Sequence, residues 1–358
     1  MINLKAYGYI ETEEIPNGWL PGRITEIQRE RFMVMTGQGE VTAVLKGSFY
    51  HHAALRAEFP CVGDFVLLHC SGDTGDSLIV KVLPRRSKFS RADYAGHAAG
   101  YAKTILEQVV ASNFDTVFIL SSLNGDLSVN RMLRYLTQAR QSGGTPVIIL
   151  TKADLITDYQ PMLAEVKRHI SDVPVHVISS HTGMGMSELH PYLTPGQTVV
   201  FLGMSGVGKS SLLNALMEQD VMKVQAIREQ DSRGRHTTTH RQLFMLPSGA
   251  MVMDTPGMRE LGLFHAEEGI RASFADVEEL FAQCRFTDCR HQTEPGCAVL
   301  AAINDGSLPS ERWESYVSQQ QENRFVQHRT SYLIDKRAKD KTNAMWNKQK
   351  KKNGGWKK

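Results

Sequence analysis

Between Gly203 and Ser210 the chain reads Gly-Met-Ser-Gly-Val-Gly-Lys-Ser, the pattern G-x-x-x-x-G-K-S. Glycines at this spacing let backbone N–H groups close around a β-phosphate, a lysine ammonium can bridge β- and γ-oxygens, and a serine hydroxyl can hold Mg²⁺. The phosphate-contacting positions are then Gly203, Ser205, Gly206, Val207, Gly208, Lys209, Ser210 and Ser211. The apolar run Val199 to Leu202 before the pattern and the helical run Ser211 to Met217 after it supply the strand–loop–helix context that this chemistry requires.

Two further clusters complete a nucleotide site. Asp254-Thr-Pro-Gly257 ends the apolar run Met251 to Met253, where Asp254 can reach a Mg²⁺ shell and the Gly257 N–H can sense a γ-phosphate. Thr151-Lys152-Ala153-Asp154 follows Val147 to Leu150. The Asp154 carboxylate there can accept from guanine N1–H and the exocyclic amine, a donor pair that adenine lacks. Lys152 is expected to lie along the base, and Ser179 and Ser180, closing another strand, to reach the guanine carbonyl.

The base motifs precede the phosphate motifs, the reverse of the ordinary small-GTPase order, so the expected domain is circularly permuted. Such rearrangement costs little where old termini lie close at the surface. It also makes the chain after Asp254 lead directly into the C-terminal region. Between the phosphate loop and Asp254 lies Gly234-Arg-His-Thr-Thr-Thr-His-Arg241, the expected switch loop. Thr238 is expected to complete Mg²⁺ coordination alongside Ser210 and Asp254. Met258 follows Asp-Thr-Pro-Gly where many GTPases carry a glutamine, and a thioether cannot orient water. His236 is therefore the expected hydrolytic residue, accepting a hydrogen bond from the attacking water, although a solvated loop histidine reads the same way.

Cys284-x4-Cys289-x-His291-x5-Cys297 offers three thiolates and an imidazole, the number and softness suited to one tetrahedral Zn²⁺. A closed Cys3His set leaves no open position for catalysis, so this zinc is expected to be structural. Of the five cysteines only Cys61 and Cys70 lie elsewhere.

The elements that must position these residues fall into three patterns. Short alternating strands from Pro21 to about Leu83 suggest a five-stranded OB-like barrel. From Thr116, apolar strands alternate with helical segments, the sign of a mostly parallel sheet covered on both faces. After Leu263 helical periodicity takes over. The expected class is α/β, with a circularly permuted P-loop GTPase domain between an OB-fold β-barrel and a helical zinc-binding domain. The expected bounds are 1–20 for an N-terminal extension, 21–88 for the barrel, 89–112 for a linker, 113–266 for the GTPase domain, 267–335 for the zinc domain and 336–358 for a basic tail.

The chain has 358 residues, 41% hydrophobic and 22% charged, with a net charge of +3, a composition too polar for a membrane span. Glu11, Glu13 and Glu14 with no apolar run argue against a signal peptide, and a cytoplasmic location is expected. The segment Lys336 to Lys358 sets ten Lys or Arg against Asp340 alone, a solvated arm or one that meets a polyanion. Arg23, Arg29, Arg31 and Lys46 give the barrel a face that either tracks phosphates or is simply solvated.

Taken together, these motifs closely resemble the bacterial ribosome-assembly GTPases of the RsgA family, also called YjeQ or YloQ. The resemblance runs from about Pro21 to Tyr316 and includes Val62-Gly63-Asp64 and Ala111-Ser-Asn113-Phe-Asp115. It implies an OB-fold, a permuted GTPase core and a zinc domain, with weak intrinsic GTP hydrolysis stimulated by the small ribosomal subunit. It also implies a switch-loop histidine important for that hydrolysis, a position held here by His236. Thr151 departs from the family's usual Asn. The expected partners are GTP or GDP, the small subunit and its rRNA, with no membrane and a monomeric chain. A passive RNA-binding scaffold with structural nucleotide and negligible turnover is the alternative, and a P-loop kinase or ATPase of small metabolites a third. The third predicts ATP preference and indifference to Asp154→Asn.

Overall fold

The computed structural model describes residues 2–11, 14–47, 49, 56–69, 75–93, 106–125, 127–222, 241–254 and 262–327. Strands β1 (Trp19–Gln28), β2 (Arg31–Thr36), β3 (Gly39–Leu45), β4 (Phe65–His69) and β5 (Ser77–Val82) pair in the order β1-β2-β3-β5-β4. A further antiparallel pairing of β1 with β4 closes them into a barrel, with β3 and β5 parallel. Alternation places Ile24, Phe32, Val34, Val66, Leu68 and Ile79 inside it. The barrel begins at Trp19, so the expected extension 1–20 contributes its last residues to β1.

The expected linker 89–112 is not unstructured where it is described. Its β6 (Lys88–Asp93) and β7 (Leu106–Ser112) pair antiparallel, with Phe89 stacked on Phe114 at 4.7 Å. The polar, Gly- and Ala-rich residues between these strands hid the pairing from periodicity.

The second region is a parallel sheet in the order β10-β9-β8-β11-β13. Its strands are β8 (Thr116–Ser122), β9 (Thr145–Thr151), β10 (Val175–Val177), β11 (Thr198–Leu202) and β13 (Met251–Asp254), which contain the apolar runs Val147 to Leu150, Val199 to Leu202 and Met251 to Met253. Every residue of β8 and β11 is buried, as strands covered on both faces require. Val117, Ile119, Ile148, Leu150, Val200 and Leu202 face one core. Phe118, Leu120, Val147, Ile149, Val199 and Phe201 face the other.

Helices α1 (Val129–Gln141) and α2 (Gln160–His169) cover the first face. Ser128 caps α1 by accepting from Arg131 N, and Pro161 in the first turn of α2 fixes its start. Helix α3 (Lys209–Met217) covers the second face with Leu212 and Leu213. One strand was not anticipated: β12 (Arg241–Met245) pairs antiparallel with β13 and also with β1, through Glu26↔Gln242 and Ile27↔Arg241. Barrel and parallel sheet therefore form one continuous 11-stranded sheet.

Beyond Leu263, α4 (Glu267–Ser273), α5 (Ala275–Phe281), α6 (Ala298–Asn304) and a helix over 310–327 pack Ile270, Phe274, Val277, Val299 and Tyr316 onto the α1 face of the sheet. Among the described residues no helix is long and apolar enough to cross a membrane.

Candidate nucleotide and metal sites

Parallel pairing sends the C-terminal ends of β10, β9, β8, β11 and β13 to one edge of the sheet, the edge where ligands of open α/β sheets bind. Ser179 and Ser180 follow β10, Lys152 and Asp154 follow β9, the glycine-rich loop follows β11, and Asp254 ends β13. Residues distant in sequence thus converge.

The convergence is tied by a hydrogen bond. Thr151, 2% exposed, donates its hydroxyl to the carbonyl of Val207 at 2.5 Å. The same oxygen lies 3.4 Å from the Ser121 carbonyl at the end of β8. A residue in the base motif therefore holds the phosphate loop directly. Gly208, which opens α3, adopts φ +101°, a conformation that side-chain-bearing residues avoid, and the Cβ it lacks would stand 3.7 Å from Thr151 Oγ1. Lys209 Nζ donates to the carbonyls of Gly203 at 2.7 Å and Met204 at 2.6 Å, which points the ammonium back over the loop. Ser205 and Gly206 are exposed, while Ser210 and Ser211 are half-buried on the first turn of α3.

On the base side, Lys152 takes the left-handed conformation at φ +62°, turning the chain out of β9. Ala153 N donates to Ile178 O at 3.1 Å, pinning this turn to the end of β10. The fully buried Ser179 donates its hydroxyl to Asp154 Oδ1 at 2.6 Å and accepts from the backbone N–H groups of His181 and Thr182. Ser179 thus orients the exposed Asp154 carboxylate; Ser180 is half-buried beside it. Burial pushes the Asp254 carboxyl above its ordinary range, and the nearby Lys209 charge acts against that rise. His236, Thr238 and Gly257 lie outside the described residues.

The second constellation is the Cys/His cluster. The ligand atoms of Cys284, Cys289, His291 and Cys297 all lie within 4.8 Å of one another. His291 Nδ1 stands 3.6 Å from Cys284 Sγ and 3.5 Å from Cys297 Sγ. A tetrahedron built on Zn–S and Zn–N bonds of ordinary length has an S···N edge of about 3.6 Å, so the donor set fits zinc in geometry as well as chemistry. Phe281 stacks on the His291 ring at 4.4 Å and Trp313 meets it edge-on at 5.7 Å, fixing the imidazole plane. Exposed in the same loop, Phe286 lies beneath the Arg285 guanidinium.

Arg23, expected on an exposed barrel face, is fully buried between the barrel and the parallel sheet. Its guanidinium donates to Tyr7 O at 2.7 Å, Asn113 O at 2.7 Å, Thr198 Oγ1 at 2.9 Å and Gly63 O at 3.3 Å. It also lies 5.0 Å from the Phe65 ring centroid. Burial lowers it to about 9, with Asp115 acting against that shift, Arg86 adding to it and Asp64 opposing it. Beside it Asp64, also fully buried, accepts from Arg85, Ser112 and Cys61 N, and Asn113 Nδ2 donates to Gly63 O. Gly63 sits at φ +92°, where a Cβ would meet Ser112 O at 2.2 Å. Val62-Gly63-Asp64 and Asn113-Phe-Asp115 are therefore the two halves of a lock between barrel and sheet. The signal in the sequence was the pairing of an aspartate and an asparagine with glycine in otherwise apolar runs.

The RsgA GTPase family model matches residues 82–264. Small ribosomal subunit biogenesis GTPase RsgA 2 of Lactiplantibacillus plantarum is 45% identical over 90% of this chain and 89% of its own length. RsgA of Methanosarcina acetivorans is 42% identical over 83% of this chain and 78% of its own. Among solved structures, YjeQ from Thermotoga maritima superposes with a TM-score of 0.62 at 27% identity, covering 85% of this chain and 98% of that one. YloQ, described as a circularly permuted GTPase, has a TM-score of 0.59 at 22% identity over 89% of this chain and 99% of its own, and shares the fold. With its phosphate and base motifs in permuted order on one sheet edge, a closed barrel before them and a Cys3His cluster behind, the chain belongs to the RsgA family of GTPases.

Proposed function

We propose that this chain hydrolyses GTP as a timer in small-subunit maturation, gripping rRNA while GTP is bound and leaving once it is spent. The hydrogen bond from Thr151 to Val207 carries the reading, because it sets a guanine-recognition loop and a phosphate loop at fixed spacing. Asp154, oriented by Ser179, reads the guanine edge; Lys152 lies along the base and Ser180 lies near its carbonyl. Gly203, Ser205, Gly206, Val207, Gly208 and Ser211 enclose the phosphates, with the Lys209 ammonium neutralising the charge that develops on the γ-phosphoryl oxygens. Ser210, Thr238 and Asp254 would hold a Mg²⁺ that supplies further charge neutralisation, with Gly257 facing the γ-phosphate. His236 orients the attacking water.

Cys284, Cys289, His291 and Cys297 would hold one Zn²⁺ whose contribution is structural. The small subunit and its rRNA enter this reading because relatives spanning most of the chain are named for small ribosomal subunit biogenesis. Arg29 and Lys46 remain exposed on the barrel, and Arg31 is exposed beside Asp76, so that face keeps cations after Arg23 is withdrawn from it. A monomeric, cytoplasmic protein fits this role.

The test is GTP turnover by the wild type and His236→Ala with and without purified small subunits. The wild type should be stimulated and the variant should not. Equal stimulation of both would refute the assignment of His236, and no turnover by either would favour the scaffold reading.

A further inference from the structure

Two consecutive side chains on the last described helix hold the segment by which the chain leaves the Asp254 strand. Glu322 Oε1 accepts from Leu263 N at 3.0 Å, and Asn323 Oδ1 accepts from Ala266 N at 2.9 Å. Leu263 and Ala266 are themselves 1% and 2% exposed, so this backbone has no water to turn to. The same Glu322 carboxylate receives both terminal nitrogens of Arg134 on α1, at 2.5 and 2.6 Å. One carboxylate thus joins the GTPase core, the exit of the Asp254 strand and the C-terminal helix.

The other end of that helix is anchored differently. Arg312, 9% exposed, forks onto Asp276 and donates to the carbonyls of His169 and Ser273. These partners belong to α2, α4 and α5, the one nearest the exit segment in the chain being Ser273 at the far end of α4. Arg312 and Glu322 lie about 15 Å apart along the helix axis, so a 1 Å displacement of Leu263 carried through Glu322 would tilt the helix by about 4° around the Arg312 anchor. The chain beyond this helix contains the Lys-rich stretch 336–358.

We propose that Glu322 is a positioning residue that makes the setting of helix 310–327 follow the nucleotide held at Lys209 and Asp254. The inference rests on the GTPase reading above. Arg134 supplies the fixed reference on the core, the Leu263 N–H supplies the moving contact, and the helix carries the displacement towards the basic end of the chain. A purely structural ion pair would need Arg134 but not the Leu263 contact.

Hydrogen–deuterium exchange of the full chain, with GDP against a non-hydrolysable GTP analogue, tests this. In the wild type, amides within 310–327 should exchange at rates differing by about fivefold between the two nucleotides, the worth of one hydrogen bond. In Glu322→Ala that difference should fall below about 1.5-fold, with basal GTP turnover unchanged. The charge swap Arg134→Glu with Glu322→Arg restores an ion pair but gives Leu263 N no acceptor; it should recover only part of the melting temperature lost in Glu322→Ala, because that buried N–H stays unpaired, and none of the nucleotide response. Glu322→Gln keeps an oxygen for Leu263 N and should retain the response, which keeps the question decidable should the alanine variant fail to fold. A wild-type helix indifferent to nucleotide, a charge swap that regains the response, or a glutamine variant that loses it would overturn the proposal. Failure of the GTPase reading would show separately, as absent GTP binding by the wild type.

Discussion

Replacing Thr151 by valine removes one oxygen and preserves shape, so it isolates the hydroxyl that joins the base loop to the phosphate loop. The lost donor leaves the Val207 carbonyl, in a residue only 1% exposed, without the 2.5 Å contact it makes now. Such a loss is worth about 1–2 kcal/mol, with the Ser121 contact at 3.4 Å too long to add much. In the nucleotide-free chain the loop can relax and recover part of that energy, whereas a bound nucleotide fixes both ends of the site at once. Most of the cost should therefore appear in binding, as a Kd raised about 5- to 30-fold. GTP and GDP should be affected alike, because the tie joins the base and phosphate loops and involves none of the residues proposed to face a γ-phosphate. Titration with a fluorescent guanine nucleotide measures this, with Thr151→Ser expected to stay within about threefold of wild type because it keeps the hydroxyl. Unchanged affinity in Thr151→Val would show that the contact does not set the spacing of the site.

Arg23→Met takes the donor from Tyr7 O, Asn113 O and Thr198 Oγ1 at the barrel–sheet lock, while Gly63 O keeps Asn113 Nδ2, and should destabilise the chain by about 3–5 kcal/mol, read as a lowered thermal midpoint, because several buried acceptors lose their donor at once. Chelation of zinc, or Cys297→Ser, should lower the melting temperature and expose the Phe281–Trp313 cluster to solvent, followed by tryptophan fluorescence, while guanine-nucleotide affinity holds. Burial alone would raise the Glu322 carboxyl, but Arg134 and the Leu263 N–H hold it below its ordinary value of 4.5. A depressed folded value makes its stabilisation fully present above that pH and lost as pH falls below it, so the melting-temperature gap between wild type and Glu322→Gln should close in acid.

Chemistry was legible in the sequence wherever it needed special residue types at fixed spacing. Lys209 behind glycines, Asp154 after an apolar strand, and four soft ligands within one short segment each suggest a chemistry, and the structure sets the first two on one sheet edge and gathers the four ligand atoms within 4.8 Å of one another. What escaped was set by tertiary contact. Arg23 reads as a surface cation because arginines are seldom fully buried, and the acceptors that make its burial tolerable, on Tyr7, Gly63, Asn113 and Thr198, are far apart in sequence. Strands β6 and β7 escaped because neither Lys-Phe-Ser-Arg-Ala-Asp nor Leu-Glu-Gln-Val-Val-Ala-Ser alternates cleanly, so the backbone ladder that joins them leaves no periodic mark. The pairing of β12 with β1 left no local mark, since it involves only two residues on each strand.

One guanine nucleotide is proposed to span from Asp154 to Lys209. Asp154→Asn tests it most directly, by measuring the affinities of wild type and variant for GTP and for xanthosine triphosphate. A carboxylate pairs with the guanine N1–H and amine, whereas a carboxamide presents a donor where xanthine presents a carbonyl. The variant should lose GTP affinity by about 100-fold, the worth of hydrogen bonds to a charged group, and gain affinity for the xanthosine nucleotide. A variant that binds GTP as the wild type does, and ignores xanthosine triphosphate, would contradict it.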